Sequence, residues 1–162
     1  MKLAESLILV EFVADLFPEA NLIPTDPVRR AQARFFIEVV SSKFVPAFQK
    51  FFGRGEGYED LLTAAEAIQN LLPASGSYAM GDQYTIADIA ITSFLARLKV
   101  ASTNEVGKFA VGQGSEFLKA LSGEKYAKFH AYTGRLLDRE SFRATFDEVR
   151  SWIGEVRSIF KY

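Results

Sequence analysis

Cysteine is absent from the 162 residues, and histidine occurs once. Without thiols these residues hold no disulfide, no thiolate metal site and no cysteine nucleophile. A single histidine excludes a histidine-cluster metal centre. Neither charge sign is in excess: 19 Lys and Arg stand against 20 Asp and Glu, for a net charge of −1. There is no basic footprint for nucleic acid. No stretch reaches the roughly 18 unbroken apolar residues of a membrane span. Leu7–Val10 is too short for a signal-peptide core and sits behind Glu5. The expectation is a cytoplasmic protein without membrane or nucleic-acid partners. Strict apolar/polar alternation and β-branched clusters are scarce, which argues against a sheet.

Helical patterning and an aromatic excess are what remain. Hydrophobic residues make up 49%, with 15 Phe and 6 Tyr. The length suits one domain, able to bury roughly 70% of its unfolded surface without a metal or disulfide. Glu5–Leu16 carries apolar residues on more than one side, and Phe17-Pro18 ends that helix, because the residue before proline is driven out of helical geometry. Pro18–Pro27 holds three prolines and reads as an extended linker.

Asp26 then caps a helix with Pro27 at its first position. It is expected to run to Phe52, about 39 Å. Phe36, Val40, Phe44, Ala47 and Phe51 share one face, and Pro46 should kink or split the helix. Most of these phenylalanines are expected in the core. Arg29, Arg30 and Arg34 crowd the end of the helix that disfavours cations. They form a solvated face, or one of them reaches an acidic partner or ligand. The Gly53–Gly57 turn lacks the strand and glycine spacing of a dinucleotide loop. Further helices are expected at about Tyr58–Leu72, Ser115–Leu121, Glu124–Asp138 and Asp147–Phe160, the last with Trp152 as a core anchor. His130 has no Ser, Cys or carboxylate partner at evident spacing and reads as structural or exposed.

The most specific signal lies in Tyr78–Leu98. Thr85 and Asp88 have the spacing of a reciprocal capping box. Ile86–Ala96 is apolar nearly all round, as in a helix buried on every side. A buried helix start must satisfy its free N–H groups with side chains. Thr85 and Asp88 are therefore expected to organise the fold, not to do chemistry. The fold class is all-α: five or six helices around a buried central helix.

Gly81-Asp-Gln-Tyr-Thr-Ile-Ala-Asp88 resembles the motif that opens the central helix in the C-terminal domain of cytosolic glutathione transferases. Leu3–Ile8, Glu11-Phe12 and Leu22–Ala31 resemble the last helix of that family's thioredoxin-like domain, the linker and the entry to the helical domain. Tyr132 to Phe142, with Arg139 and Ser141, resembles a late family helix, with Glu140 in place of the usual proline. The flavour is closest to omega, tau or fungal classes. The resemblance implies residues 1–17 as a thioredoxin-domain remnant, 18–26 as linker and 27–162 as a helical bundle of the glutathione-transferase C-terminal type.

That resemblance implies glutathione as co-substrate, with Glu5 and Ser6 holding its γ-glutamyl end. Read alone, Glu5-Ser6 is only an acidic helix start. It also implies a pocket for a small hydrophobic electrophile, with Arg34, Phe35 and Phe36 as candidate lining; Phe35 and Phe36 cannot both point the same way. No catalytic or metal-binding residue is assigned. The family's activating residue belongs to a strand–helix unit of roughly 30 residues, and four residues precede Glu5. The expectation is a shortened chain, either part of a detoxifying transferase or a non-catalytic dimerisation or scaffold module.

Overall fold

The computed structural model describes residues 4–146. The Asp147–Phe160 segment and Trp152 lie outside the described residues. Helices α1 (Ser6–Leu16), α2 (Pro27–Val39), α3 (Val45–Phe48), α4 (Glu59–Leu71), α5 (Ile86–Thr103), α6 (Gln113–Leu121), α7 (Ala127–Leu137) and α8 (Glu140–Arg143) follow one another. The only β pairing among the described residues is two isolated bridges, Tyr78 with Gly81 and Met80 with Gln83.

The linker between α1 and α2 is pinned, not loose. Pro18–Ala20 forms a 3-10 turn. Ile86 N–H donates to Leu22 O at 3.0 Å, and Gln83 Nε2 donates to Asn21 O at 2.7 Å. Asp26 caps α2 by accepting from Arg29 N–H at 2.8 Å.

Helical geometry then persists from Pro27 to Arg54, although Pro46 lies within it. Proline cannot donate to the carbonyl four residues earlier, and its ring crowds that carbonyl. The chain widens into π turns on either side, Val40–Phe44 and Gln49–Arg54, so it neither stops nor divides. Ser41 and Ser42 hydroxyls donate back to Ile37 O at 3.0 Å and Glu38 O at 2.7 Å.

The aromatic excess is mostly core. Phe36, Phe44, Phe51 and Phe52 are at most 2% exposed. Phe51 stacks on Phe109 with ring centroids 4.5 Å apart, and Phe36 meets Tyr132 edge-on at 6.4 Å. Each such burial contributes about 1.5–3 kcal/mol before entropy is counted.

Helix α5 is the hub, touching α1, α2, α3, α6 and α7. The expected burial on every side is not met: Ser93 and Lys99 are exposed and Ile89, Phe94 and Arg97 half-buried. Ile89, Ser93 and Arg97 lie at intervals of four, so they form one stripe of the helix. That stripe is the open side of the hub.

The start of α5 is fully inside. Thr85 Oγ1 accepts from Ala87 N–H at 3.3 Å, and the reciprocal box with Asp88 is closed. Asp88 Oδ2 accepts from Thr85 N–H at 2.8 Å and from the Thr85 hydroxyl at 3.3 Å. Its Oδ1 accepts from Ala79 N–H at 2.8 Å and Tyr132 OH at 2.9 Å. One carboxyl thus joins the 78–84 segment, α5 and α7. Burial pushes it above its ordinary range, and the four donors offset that only partly. His130 is exposed, on α7.

Candidate functional site

A groove of about 400 Å³ runs along the open stripe of α5. Helix α1 contributes Ser6, Leu7 and Val10 to its wall. The π turn and α3 contribute Val40, Ser41 and Val45. Helix α5 contributes Ile89, Ala90, Ser93, Phe94 and Arg97. The wall is mainly apolar with a few polar groups, the usual make-up of a small-molecule site.

The groove meets the first turn of α1, which is unusual. Glu5, its N-cap, has φ 71 and ψ 115, outside the regions a side-chain-bearing residue normally takes. No side chain caps α1 and no acidic residue lies in its first turn. Its first N–H groups therefore face outward with the positive end of the helix dipole behind them. Glu5 and Ser6 are exposed, and Ser6 reaches the groove.

The three candidate lining residues do not come together there. Successive helical residues fan by about 100° each; Arg34 turns toward α1, away from the cavity that Phe35 and Phe36 share. The Arg34 side chain donates to Glu11 Oε1 at 3.0 Å, tying α2 to α1. This is the acidic partner open to the α2 arginines, and the hydrogen bond to Glu11 holds the Arg34 guanidinium above its ordinary pKa. Phe36 is buried and Phe35 is 58% exposed. Both edge a second cavity of about 400 Å³ on the other side of α2, with Arg29, Gln32 and Met80.

Sequence reasoning missed Ser41, Val45, Ile89, Ser93, Phe94 and Arg97. The one available signal was the four-residue spacing of Ser93 and Arg97 in an otherwise apolar helix. It also missed the Arg139 clamp: its guanidinium lies 3.8 Å from the Tyr84 ring centre, and Nη1 donates to Tyr78 OH at 3.2 Å. Among the described residues no acidic or histidine cluster could hold a metal. No described helix is long and apolar enough to cross a membrane.

The family model described as "Glutathione S-transferase, C-terminal domain" matches residues 47–154. Glutathione transferase Omega 1C from Trametes versicolor is 51% identical, with a TM-score of 0.87 over 99% of this chain and 65% of its own. Omega 2S from Trametes versicolor, solved in complex with 2,4-dihydroxybenzophenone, is 39% identical, with a TM-score of 0.82 over 89% of this chain and 62% of its own. A probable glutathione S-transferase of Nicotiana tabacum is 32% identical over 92 residues, 54% of this chain and 41% of its own length. The chain thus spans about two thirds of the solved relatives and under half of the tobacco one. A helical bundle built on a capped central helix, matched over most of its length by this family's model and these structures, places the chain in the glutathione S-transferase family.

Proposed function

We propose that this chain supplies two parts of a glutathione-dependent transferase or reductase site: an anchor for the γ-glutamyl end of glutathione at Glu5 and Ser6, and the wall of the electrophile pocket along the α5 groove. The observation that carries this is Glu5. A non-glycine residue held at φ 71 and ψ 115 costs about 1–3 kcal/mol, and such strain gathers at ligand sites. It sits beside an uncapped helix start suited to a carboxylate. The Glu5 carboxylate is the natural partner of the ligand's ammonium. The Omega 2S relative, solved with 2,4-dihydroxybenzophenone, supports an aromatic occupant for the pocket.

On this reading residues 1–17 belong with a thioredoxin-like domain, 18–26 form the linker and 27–162 form the helical domain. The family resemblance assigns thiolate stabilisation to a thioredoxin-like domain, and no described residue is given that role. The setting is the cytosol, where glutathione is kept reduced. Titration with S-hexylglutathione, followed by amide NMR, tests the anchor. Shifts centred on Ser6 and Leu7, weakened in Ser6→Ala, are expected. Absence of shifts at millimolar ligand overturns it.

The second reading is a non-catalytic homodimerising or scaffold module. Its support is the exposed apolar surface of Ile8, Phe12 and Leu16 on α1 and of Val28 and Phe35 on α2. A concentration-dependent dimer in sedimentation, with no response to S-hexylglutathione, is the outcome that favours it.

A further inference from the structure

We infer that the cavity between the 72–78 segment and α7 binds a compact polyanion of the diphosphate kind, held between Lys128 and Arg135. The cavity holds about 330 Å³, and Ser75, Gly76, Tyr78, Lys128, Ala131 and Arg135 are in its wall. It shares no residue with the α5 groove, so it stands apart from the proposed function.

Lys128, Ala131 and Arg135 fall on one face of α7, because residues three, four and seven positions apart line up on a helix. Lys128 Nζ donates to Leu72 O at 2.6 Å, and Arg135 Nε donates to Ser77 O at 2.9 Å. These bonds strap the segment to α7 and fix both cationic heads, yet most of the N–H groups on each head stay unused. Among the described residues neither head joins an ion pair, and the wall holds no carboxyl. The buried Tyr132 hydroxyl is already committed to Asp88 Oδ1 at 2.9 Å. The N–H groups of Ser75 and Gly76 donate to no described backbone acceptor.

The cradle is formed in advance. Tyr78 and Gly81 exchange backbone hydrogen bonds at 2.7 and 3.1 Å. Gly76, at φ 108, lies so close to Gly81 that a Cβ would meet its backbone at 2.6 Å. Lys128 and Arg135 stand two turns apart, about 10.5 Å along α7, and the small Ala131 leaves the space between them open. Each head is held at its own carbonyl, so the two do not converge on one small ion. A diphosphate carries charge at both ends and meets both heads with charge-assisted hydrogen bonds. A single phosphate meets one.

The test is titration with inorganic pyrophosphate and with inorganic phosphate at constant ionic strength, followed by amide NMR. Shifts are expected to centre on Ser75–Ser77 and on Lys128–Arg135. Pyrophosphate should bind about tenfold tighter than phosphate, the size of one additional charge-assisted hydrogen bond. Lys128→Gln and Arg135→Gln should each weaken pyrophosphate about tenfold, but both also remove a strap. Ala131→Glu leaves the straps in place and sets a carboxylate between the two cations at an exposed helical position. It should abolish binding, whereas Ala131→Gln, of the same size without the charge, should weaken it only a few-fold. Circular dichroism and melting confirm that each variant folds.

No shifts up to about 10 mM pyrophosphate, beyond the reach of a millimolar site, overturn the inference. So do shifts centred elsewhere, or binding that survives Ala131→Glu. Equal affinity for phosphate overturns the two-ended ligand, and equal loss in Ala131→Gln and Ala131→Glu overturns recognition by charge.

Discussion

Tyr132 on α7 donates its phenolic proton to Asp88 Oδ1 at 2.9 Å, across 44 residues of sequence. Both side chains are buried, Asp88 at 0% and Tyr132 at 1% exposure. The Asp88 carboxyl takes all its partners as donors. Asparagine cannot copy this, because its NH2 would face at least one backbone N–H. Asp88→Asn should therefore cost about 1–3 kcal/mol, the desolvation penalty of an unpaired donor. Asp88→Ala frees more donors and should cost more. Tyr132→Phe removes one donor and should cost about 1 kcal/mol. Urea denaturation of the four proteins checks the order. Equal midpoints for wild type and Asp88→Asn would remove Asp88 as an organiser of the fold.

The pH dependence of this network has a defined sign. Burial raises the Asp88 carboxyl above its ordinary 3.8, so the folded chain binds that proton more tightly than the unfolded chain. The stability contributed is fully present below the unfolded pKa and is lost as pH rises through the folded pKa. Asp88→Asn lacks this component. The wild type's advantage over the variant should be larger near pH 4 than at pH 7, as read from paired denaturation curves. An advantage that grows with pH contradicts the direction of the shift. Burial also pushes the Tyr132 phenol well above its ordinary value, so it remains a donor throughout this range.

The two neighbouring roles of phenylalanine on the long helix separate cleanly. Phe51 is fully buried and packs on Phe109 and Phe117 with ring centroids at 4.5 and 5.6 Å. Phe51→Ala should cost about 3–5 kcal/mol through lost burial and a residual cavity. Phe35 is 58% exposed, and Phe35→Ala should change monomer stability by no more than about 0.5 kcal/mol. Thermal melts check both. A large loss for Phe35→Ala indicates that this surface is covered in solution, as the homodimer reading requires.

These contrasts show which parts of the molecule are local in sequence. The capping box was legible because Thr85 and Asp88 are three residues apart and their chemistry is complete within one turn. Helices α2, α4, α6 and α7 were legible because a 3.6-residue apolar period survives in each, and α5 was legible from its nearly unbroken apolar run after the capping box. The outcome at Pro46 was not, because sequence marks the missing N–H but not the π turns that absorb it. The groove was not legible either. The four-residue spacing of Ser93 and Arg97 marks a stripe of α5, but it becomes a groove only because α1 and the π turn pass beside it, and no spacing within α5 encodes those walls. Arg34, Phe35 and Phe36 were grouped by adjacency, whereas helical rotation turns Arg34 to Glu11 and leaves only Phe35 and Phe36 on one cavity.

The role of Arg139 depends on shape as well as charge. The residue follows the end of α7, and its guanidinium carbon lies 3.8 Å from the Tyr84 ring centre and 5.6 Å from that of Tyr78. With the hydrogen bond to Tyr78 OH at 3.2 Å, it holds the 78–84 segment against α7. Lysine keeps the charge but neither the planar stack nor the fork. Arg139→Lys should cost about 1–2 kcal/mol, the scale of a partly desolvated cation–π contact. Hydrogen exchange should speed up at Tyr78–Tyr84 more than in α5. The positive charge also lowers the Tyr84 phenol, against the burial that raises it. Arg139→Gln should therefore move the Tyr84 titration upward, while Arg139→Lys moves it less. Ultraviolet titration distinguishes the two. If Lys and Gln shift Tyr84 equally, the guanidinium acts through packing and not through its charge.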